Sequence, residues 1–268
     1  MQNRCTLIIS HRHKFIFLHC RKVAGSSITA LLNRFLGPDD LQIGAWHDSI
    51  RLGGAYNRKA IRTLAFENSA RSNLIKSIGR SFLSGKKVDL AASINLALKK
   101  PYRKVLSNNP PHAPAELVRD FAPDAWRDYY KFCFVRNPYE HAVSDFFWRQ
   151  SLAKGVDFVE FLKRKQDTTR PDPESVLARP VTNWPIYTIH DEIAVDFIGR
   201  FENLSEDLDK ALQDIGLDLG ESHLPVAKGN TRRQNFSEIY NDETRALVAD
   251  IYKNELAEFQ YKFSDLPT

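Results

Sequence analysis

The chain has 268 residues, of which 43% are hydrophobic, and its 38 Lys and Arg outnumber its 33 Asp and Glu. This length and apolar content suit a single domain over residues 1–268 with a substantial core. No apolar stretch approaches a membrane span, the N-terminus does not resemble a signal peptide, and three cysteines call for no disulfide framework. We therefore expect a soluble, cytoplasmic protein.

Two apolar stretches near the N-terminus, residues 6–10 and 14–19, predict strands. The second continues into H-C-R-K-V-A-G-S-S, residues 19–27, and then into a predicted helix. The glycine lets the backbone approach an anion, the serines offer hydroxyls, the lysine supplies charge, and the helix start contributes N–H groups. This pattern predicts a phosphate-binding loop.

The loop does not have the Walker A pattern of ATP-binding loops. That pattern requires two glycines with the lysine after the second, whereas Lys22 precedes the single glycine, Gly25. A tight strand-to-helix turn that uses glycine and serine only for capping is the alternative for this segment. ATP is therefore not the expected ligand.

Residues 51–104 form a strongly basic insert, with thirteen Lys or Arg against two acids, Glu67 and Asp89. Apolar residues recur among the basic ones at helical spacing, which predicts helices. The insert is either a basic wall that faces an acidic polysaccharide, a lipid-linked glycan or a membrane surface, or a solvated insertion whose charges pair with the acidic remainder. Nucleic acid is not an expected partner, because no aromatic and basic recognition motif accompanies the charge.

His112 lies in N-N-P-P-H-A-P, residues 108–114, a loop whose prolines exclude a regular helix. A helix is predicted directly after this loop, at residues 115–121. A lone loop histidine often has no chemical role, but an imidazole is also the most frequent general base. No grouping of Cys and His has zinc-ligand spacing and no acidic pair suggests a magnesium site, so no metal is expected.

A second motif occupies residues 132–148, which read F-C-F-V-R-N-P-Y-E-H-A-V-S-D-F-F-W. The pattern predicts a buried strand, a turn and a helix whose first turn contains Pro138. Arg136 and Ser144 would converge on a second phosphate, through a guanidinium fork and a hydroxyl. A surface ion pair and a solvent-facing serine are the alternatives, but two anion sites together indicate a ligand with phosphates at both ends.

The C-terminal third predicts a strand at residues 195–201, a helix at 204–215 and a further helix at 242–258. A polar, basic loop, A-K-G-N-T-R-R-Q-N-F-S, precedes the last helix at residues 227–237.

At residues 19–27 and 135–144 the chain resembles the PAPS-dependent sulfotransferases, specifically the carbohydrate sulfotransferases of sulfotransferase family 2. Their first loop reads like H-I-P-K-T-A-G-T-S and their second like V-R-N-P-Y-x-R-x-V-S. Here Arg21 replaces a proline, Val23 a threonine and His141 an arginine. The resemblance implies a three-layer α/β/α fold with a central mainly parallel sheet, related to the P-loop nucleotide kinases, and 3'-phosphoadenosine 5'-phosphosulfate (PAPS) as co-substrate.

The resemblance also implies in-line transfer of a sulfuryl group from PAPS to a carbohydrate hydroxyl, with no metal required. The first loop would hold the 5'-phosphosulfate and the second motif the 3'-phosphate, while His112 would accept the proton of the hydroxyl and Lys22 would stabilise the leaving oxygen. In relatives a loop near Thr231 and Arg232 closes over the nucleotide. The predicted cofactor-binding residues are Arg21, Lys22, Ala24, Gly25, Ser26, Ser27, Arg136, Ser144, Thr231 and Arg232, and the predicted catalytic residues are His112 and Lys22.

The identity of the acceptor remains open, since one fold serves many glycans, and the acceptor can be anionic or lipid-linked. The eukaryotic Golgi relatives carry a membrane anchor, whereas this chain looks more like a bacterial cytoplasmic version. Two other classes of function remain as alternatives: a nucleotide-dependent kinase of related fold, and a non-catalytic protein that binds nucleotides or anionic glycans.

Overall fold

The computed structural model describes residues 6–85, 87–150, 155–173, 176–177, 180–218 and 236–266. The strands are β1 Leu7–Ser10, β2 Phe15–Leu18, β3 Leu41–Ile43, β4 Tyr130–Val135, β5 Thr188–Ile189, β6 Glu192–Ile193 and β7 Phe197–Arg200. The helices are α1 Gly25–Asn33, α2 Trp46–Arg51, α3 Arg58–Phe66, α4 Asn68–Leu83, α5 Leu90–Lys99, α6 Ala115–Phe121, α7 Pro123–Asp128, α8 Pro138–Gln150, α9 Phe158–Gln166, α10 Trp184–Tyr187, α11 Leu204–Asp214, α12 Asp242–Ile251 and α13 Lys253–Phe259.

The main sheet of the described part has the strand order β3-β1-β2-β4-β7, and β5 pairs with β6 in a separate ribbon. Every residue of β1 and β2 is buried, as are the last four residues of β4. Continuous apolar strands of this kind are typical of a sheet covered on both faces. The sequence and the structure thus agree on an α/β protein whose sheet is flanked by helices.

The sheet is mixed, so the prediction of a mainly parallel sheet is confirmed only for its β2-β4-β7 half. Strand β1 pairs antiparallel with β2 and with β3, whereas β2 pairs parallel with β4, and β4 with β7. The tight turn between β1 and β2 is the reason, since neighbours joined by so short a connection must be antiparallel. Asp40 stabilises this turn, because its carboxylate accepts hydrogen bonds from the backbone N–H of His11 at 2.8 Å and from the Ser10 hydroxyl at 2.6 Å.

Most of the predicted helices and strands are present, with shifted ends. The helix predicted at residues 115–121 is α6, the strand predicted at 195–201 starts at Phe197, and the helix predicted at 204–215 ends at Asp214. The single helix predicted at 242–258 is instead two helices, because Tyr252 leaves the helical region with φ −113° and ψ 25°.

The basic insert is helical, as predicted, and consists mainly of α3, α4 and α5. Helices α4 and α5 form an antiparallel hairpin in which the hydroxyls of Ser77 and Ser93 lie 2.9 Å apart. A small apolar cluster that contains Trp46, Ala60 and Leu98 packs the base of the insert against α2. The insert is therefore attached at its base, and its outer helical faces point away from the sheet.

Candidate active site

Three parallel strands place three loops at one edge of the sheet. In the register of the sheet, Leu18 of β2 lies beside Cys133 of β4, and Val135 of β4 lies beside Arg200 of β7. The segments that follow these strands therefore emerge side by side. The carboxyl edge of parallel strands is the usual ligand-binding edge of α/β sheets. Both predicted phosphate motifs begin at this edge.

The first loop has an unusual backbone. Lys22 and Ala24 have positive φ angles of 65° and 57°, whereas the buried Val23 between them does not. Alternation of this kind directs successive N–H groups into a concave surface that suits an anion. Ala24 precedes α1, has no side chain that could cap it, and no acidic residue occupies the first helical turn. The positive end of the helix dipole is thus available to an anion.

Gly25 is required by the packing of His19. A Cβ at position 25 would lie 1.7 Å from Nε2 of His19, so no other residue fits without moving the imidazole. His19 itself is fixed, because its Nδ1 accepts a hydrogen bond from the backbone N–H of Thr6 at 2.8 Å. The missing side chain of Gly25 therefore makes room for the His19 ring, and the predicted contact of the Gly25 backbone with an anion stays a prediction.

Arg21 is an anchor of the loop. Its guanidinium is buried and Nη2 donates to the carbonyl oxygens of Val181 and Thr182, each at 3.2 Å. Asn183 clamps its backbone, since Oδ1 accepts from the Arg21 N–H at 3.0 Å and Nδ2 donates to the Arg21 carbonyl at 3.1 Å. The positive charge of Arg21 lies close to the site, but its side chain is held by backbone carbonyls.

The serines of the loop lie in the first turn of α1. Ser26 and Ser27 are buried at 6% and 8% exposure, and the N–H of Ser27 donates to the carbonyl of Ala24 at 2.9 Å. Thr29, one turn later, donates its hydroxyl to the carbonyl of Gly25 at 2.6 Å. The structure thus places both serines, largely buried, at the N-terminus of α1.

The second motif meets the first through Arg136. Its Nη1 donates to the carbonyl oxygen of Lys22 at 3.3 Å, and its guanidinium carbon lies 4.2 Å from the centre of the Phe201 ring. Its Nε donates to Oε2 of Glu140 at 2.8 Å, in an ion pair whose two side chains are 12% and 9% exposed. Glu140 is one helical turn beyond the arginine and was not singled out in the sequence.

Ser144 lies on the same face of α8 as Glu140. Positions 140, 144 and 148 follow at intervals of four and so form one line along the helix. At the far end of this line, Nζ of Lys22 lies 5.8 Å from the centre of the Trp148 ring, within reach of a cation–π interaction. Arg136 thus contacts one end of this line and Lys22 the other, and Ser144, which lies between the two ends along the helix, is half-buried.

A cavity of about 540 Å³ adjoins Glu140, the ion-pair partner of Arg136. Its charged lining consists of three carboxylates and one guanidinium, those of Glu140, Glu202, Asp265 and Arg200. Glu202 also accepts from the backbone N–H of Asn137 at 2.7 Å, which fixes the turn before α8. With three carboxylates and one guanidinium in its lining, this cavity suits a phosphate less well than the surroundings of Lys22 do.

His112 is held beside the first loop. It ends a short 3-10 helix, Pro110–His112, and its Nδ1 lies 2.7 Å from the carbonyl oxygen of His19. A carbonyl only accepts, so Nδ1 carries the proton and Nε2 is the unprotonated nitrogen of the neutral ring. This Nε2 is buried and makes no hydrogen bond within the described part of the protein.

The electrostatic surroundings keep this imidazole neutral. Burial lowers the pKa of His112 well below its usual value, and the neighbouring His19 and the guanidinium of Arg21 lower it further. Lys99, the buried last residue of α5, acts in the same direction. The insert therefore contributes a cation to the surroundings of His112, a relationship that composition alone could not reveal.

His141 lies inside a buried polar network. Asn183 Nδ2 lies 3.3 Å from its Nε2, and the Tyr252 hydroxyl lies 3.1 Å from its Nδ1. Since the amide group donates, Nε2 accepts and Nδ1–H donates to the tyrosine oxygen. Lys165 donates to the same oxygen at 2.7 Å and to Asp145 at 3.1 Å. The network thus connects the backbone of Arg21 to α8, α9 and the break between α12 and α13.

Burial and the nearby Lys165 ammonium hold the pKa of His141 well below its usual value, so this ring is also neutral. The sulfotransferase motif that the sequence resembles has an arginine at this position. Here His141 instead supports the first loop from the protein interior, through Asn183. The sequence offered no signal for this role, because the partners of the ring come from distant parts of the chain.

Thr231 and Arg232, and the basic loop around them, lie outside the described residues, so their predicted contact with the nucleotide stays a prediction. Within the described ranges there is no group of three or more His, Cys, Asp or Glu arranged to hold a metal ion. The described helices include none that is both long and apolar enough to cross a membrane.

The chain is similar to known proteins over most of its length. A family model described as "Sulfotransferase family" matches residues 6–262. A curated relative from Archaeoglobus fulgidus, described as "Uncharacterized protein", is 34% identical over 110 residues, which cover 39% of this chain and 82% of the relative. No solved structure matches the chain.

Proposed function

The chain belongs to the sulfotransferase family, and on this premise we propose that it transfers a sulfuryl group from PAPS to a hydroxyl of a carbohydrate acceptor. The observation that carries the proposal is the position of His112. A buried, neutral imidazole presents an unprotonated Nε2 beside a loop that is shaped for an anion. A base and an anion site in such proximity suit group transfer to a hydroxyl.

The residues of the two motifs suit a donor with phosphates at both ends. The first loop and the N-terminus of α1 would hold the 5'-phosphosulfate, with Lys22 beside it. Arg136 and Ser144 would hold the 3'-phosphate on the same side of α8. Support for this division comes from the contact between Arg136 and the Lys22 carbonyl, which brings the two motifs together. Thr231 and Arg232 are proposed to complete the nucleotide site.

In the proposed reaction an acceptor oxygen attacks sulfur, and the bond between sulfur and the bridging oxygen of the 5'-phosphate breaks. The hydroxyl proton passes to Nε2 of His112, and the electron pair of the broken bond stays on the 5'-phosphate of the product, 3',5'-adenosine bisphosphate. Lys22 stabilises the charge that develops on that oxygen. Positioning and electrostatics supply most of the acceleration, as in phosphoryl transfer.

Access to Nε2 is part of the proposal, because protein atoms cover it in this structure. Acceptor binding must displace the side chains above this atom before the hydroxyl can reach it. In the same proposal the ring stays oriented during this movement, since the His19 carbonyl holds Nδ1–H from the opposite side.

The proposal is tested by incubating the protein with PAPS labelled in the sulfuryl group and a panel of carbohydrate acceptors. We expect label to appear in at least one acceptor, together with an equal amount of 3',5'-adenosine bisphosphate. Transfer of the γ-phosphate of ATP in the presence of magnesium, with PAPS inert, would instead support a kinase. Binding of either nucleotide without any transfer, in wild type and His112→Gln alike, would support a non-catalytic binding protein.

A further inference from the structure

The exposed apolar side chains of this protein are concentrated in one region. Among the described residues ten large hydrophobic side chains are exposed, and all of them except Ile193 lie within residues 61–105. Single exposed hydrophobic residues are normal on a protein surface, but a cluster marks an interaction site. The basic insert therefore carries an apolar surface in addition to its charge.

The most exposed part of this surface is the end of the hairpin formed by α4 and α5. We call residues 80–85 and 87–90 the hairpin tip. Phe82 and Leu83 are 80% and 87% exposed there, and Leu90 on the other side of the turn is 54% exposed. Gly85, with φ 63°, makes the turn between them. The tip lies beyond the hydrogen bond between the hydroxyls of Ser77 and Ser93, which joins the two helices at 2.9 Å.

Basic residues surround these apolar side chains. Arg80 and Lys87 belong to the hairpin tip and are exposed. On the outer face of α4, the exposed Ile75 lies two turns before Phe82 on the same line, and the exposed Lys76 lies beside it. Thus an apolar tip is followed, along the helix, by a mixed apolar and basic face.

We propose that the hairpin tip and the outer face of α4 dock on a membrane surface that carries anionic lipid headgroups. Phe82 and Leu83 would enter the boundary between headgroups and acyl chains, and the flanking cations would contact the headgroups. This proposal does not rest on sulfuryl transfer. It gives the basic insert a function that the candidate active site does not require.

The combination of charges and side chains favours a membrane over other occupants. A second copy of the chain would bring two inserts of the same strongly positive charge together, which is unfavourable. An acidic polysaccharide would bind the cations but would leave Phe82 and Leu83 in water. An anionic lipid surface can contact both the cations and the two apolar side chains, because it offers negative headgroups above an apolar layer.

The test is cosedimentation of the full chain with vesicles of phosphatidylcholine alone or of phosphatidylcholine and phosphatidylglycerol in equal parts. We expect binding to the anionic vesicles, weakening with salt, and little binding to the neutral ones. The double variant Phe82→Ser/Leu83→Ser should lose about a hundredfold in affinity, roughly tenfold for each apolar side chain that no longer enters the acyl boundary. Arg80→Gln should lose less affinity for the anionic vesicles, and its difference from wild type should disappear at high salt.

Ile193→Ser is the matched control, because Ile193 is exposed on β6, outside the insert. Its vesicle binding should equal that of wild type, and all variants should keep the melting temperature of wild type since these side chains are exposed. The proposal is overturned if wild type does not bind anionic vesicles, or if the double variant binds them equally well. Binding to dextran sulfate but not to vesicles would show that the insert binds acidic polysaccharides instead. If wild type formed a dimer and the double variant did not, the hairpin tip would be a surface for self-association.

Discussion

The guanidinium of Arg136 donates a hydrogen bond to the carbonyl oxygen of Lys22 across 114 positions of sequence. This contact joins the two motifs at the edge of the sheet where β2 and β4 end. It also places Glu140 beside the predicted phosphate site, because the same guanidinium donates to its carboxylate at 2.8 Å. A phosphate that binds Arg136 must therefore share the guanidinium with a negative side chain.

Glu140→Gln should strengthen the binding of 3',5'-adenosine bisphosphate. The substitution keeps an acceptor for Arg136 Nε but removes the charge that repels the phosphate, so we expect affinity to rise by about twofold to fivefold. Titration calorimetry at low salt measures this change.

Glu160→Gln is the matched control for that variant. Glu160 pairs with Arg164 on α9 at the same spacing and the same 2.8 Å distance, away from both motifs. Its bisphosphate affinity should equal that of wild type. Weaker binding by Glu140→Gln would mean that the carboxylate positions Arg136 and does not compete with phosphate.

His112→Gln should abolish most of the transfer activity and leave bisphosphate binding intact. A glutamine side-chain amide can still donate to the His19 carbonyl, but it cannot accept the proton of the acceptor. We expect kcat to fall by roughly 10²- to 10⁴-fold. His11→Gln, at an exposed histidine that contacts Tyr129, should behave as wild type. Unchanged kcat in His112→Gln would remove His112 from the mechanism.

The pH dependence of transfer should reflect the lowered pKa of His112. The ring stays neutral, and competent as a base, as the pH falls through the usual histidine value of about 6.5. We therefore expect kcat to be level from about pH 8 to 6.5 and to fall only below that range. The same shift destabilises the folded protein at low pH, because the unfolded chain binds the proton first.

Lys99→Met tests whether the Lys99 charge contributes to the lowered pKa of His112. Loss of its positive charge should raise the pKa of His112, so the acid limb of the pH profile should move to higher pH. A limb that stays in place, or that moves to lower pH, would show that Lys99 does not act on the base.

Gly25→Ala should disrupt the first loop. The new methyl group would meet the His19 ring, so we expect a loss of about 1–3 kcal/mol in the free energy of unfolding and weaker bisphosphate binding. Gly79→Ala is the matched control, because nothing lies within 4 Å of its added Cβ in α4. That variant should be stabilised by up to about 1 kcal/mol, since alanine is the better helix former. Equal melting temperatures for both variants would contradict the packing of His19 against Gly25.

The local elements of the site could be predicted because their signals are local. The apolar runs of β2 and β4, the glycine and serines before α1, and Pro138 at the start of α8 each act within a few residues. Even so, the sequence could not show that the missing Cβ of Gly25 makes room for His19. The antiparallel half of the sheet was not predicted, because the two phosphate motifs lie only at the ends of its parallel strands.

The remaining features depend on contacts between distant parts of the chain. The tautomer of His112 is set by the carbonyl of a residue 93 positions earlier, and the backbone of Arg21 is clamped by a side chain 162 positions later. Composition identified the charge of the insert but not the buried Lys99, whose position depends on how α5 packs. No periodicity in the sequence could have revealed these relationships.

In the proposed function Lys22 and Arg136 border a site for a nucleotide with phosphates at both ends. This site can be tested by thermal-shift titration of wild type, Lys22→Ala and Arg136→Ala with 3',5'-adenosine bisphosphate, with ADP, and with ATP and magnesium. A ligand that binds only the folded state raises the melting temperature. We predict selective stabilisation of wild type by the bisphosphate, with affinity reduced about tenfold to a hundredfold in each variant. Stabilisation by ATP and magnesium with the bisphosphate inert, or equal stabilisation of all three proteins by the bisphosphate, would contradict the account.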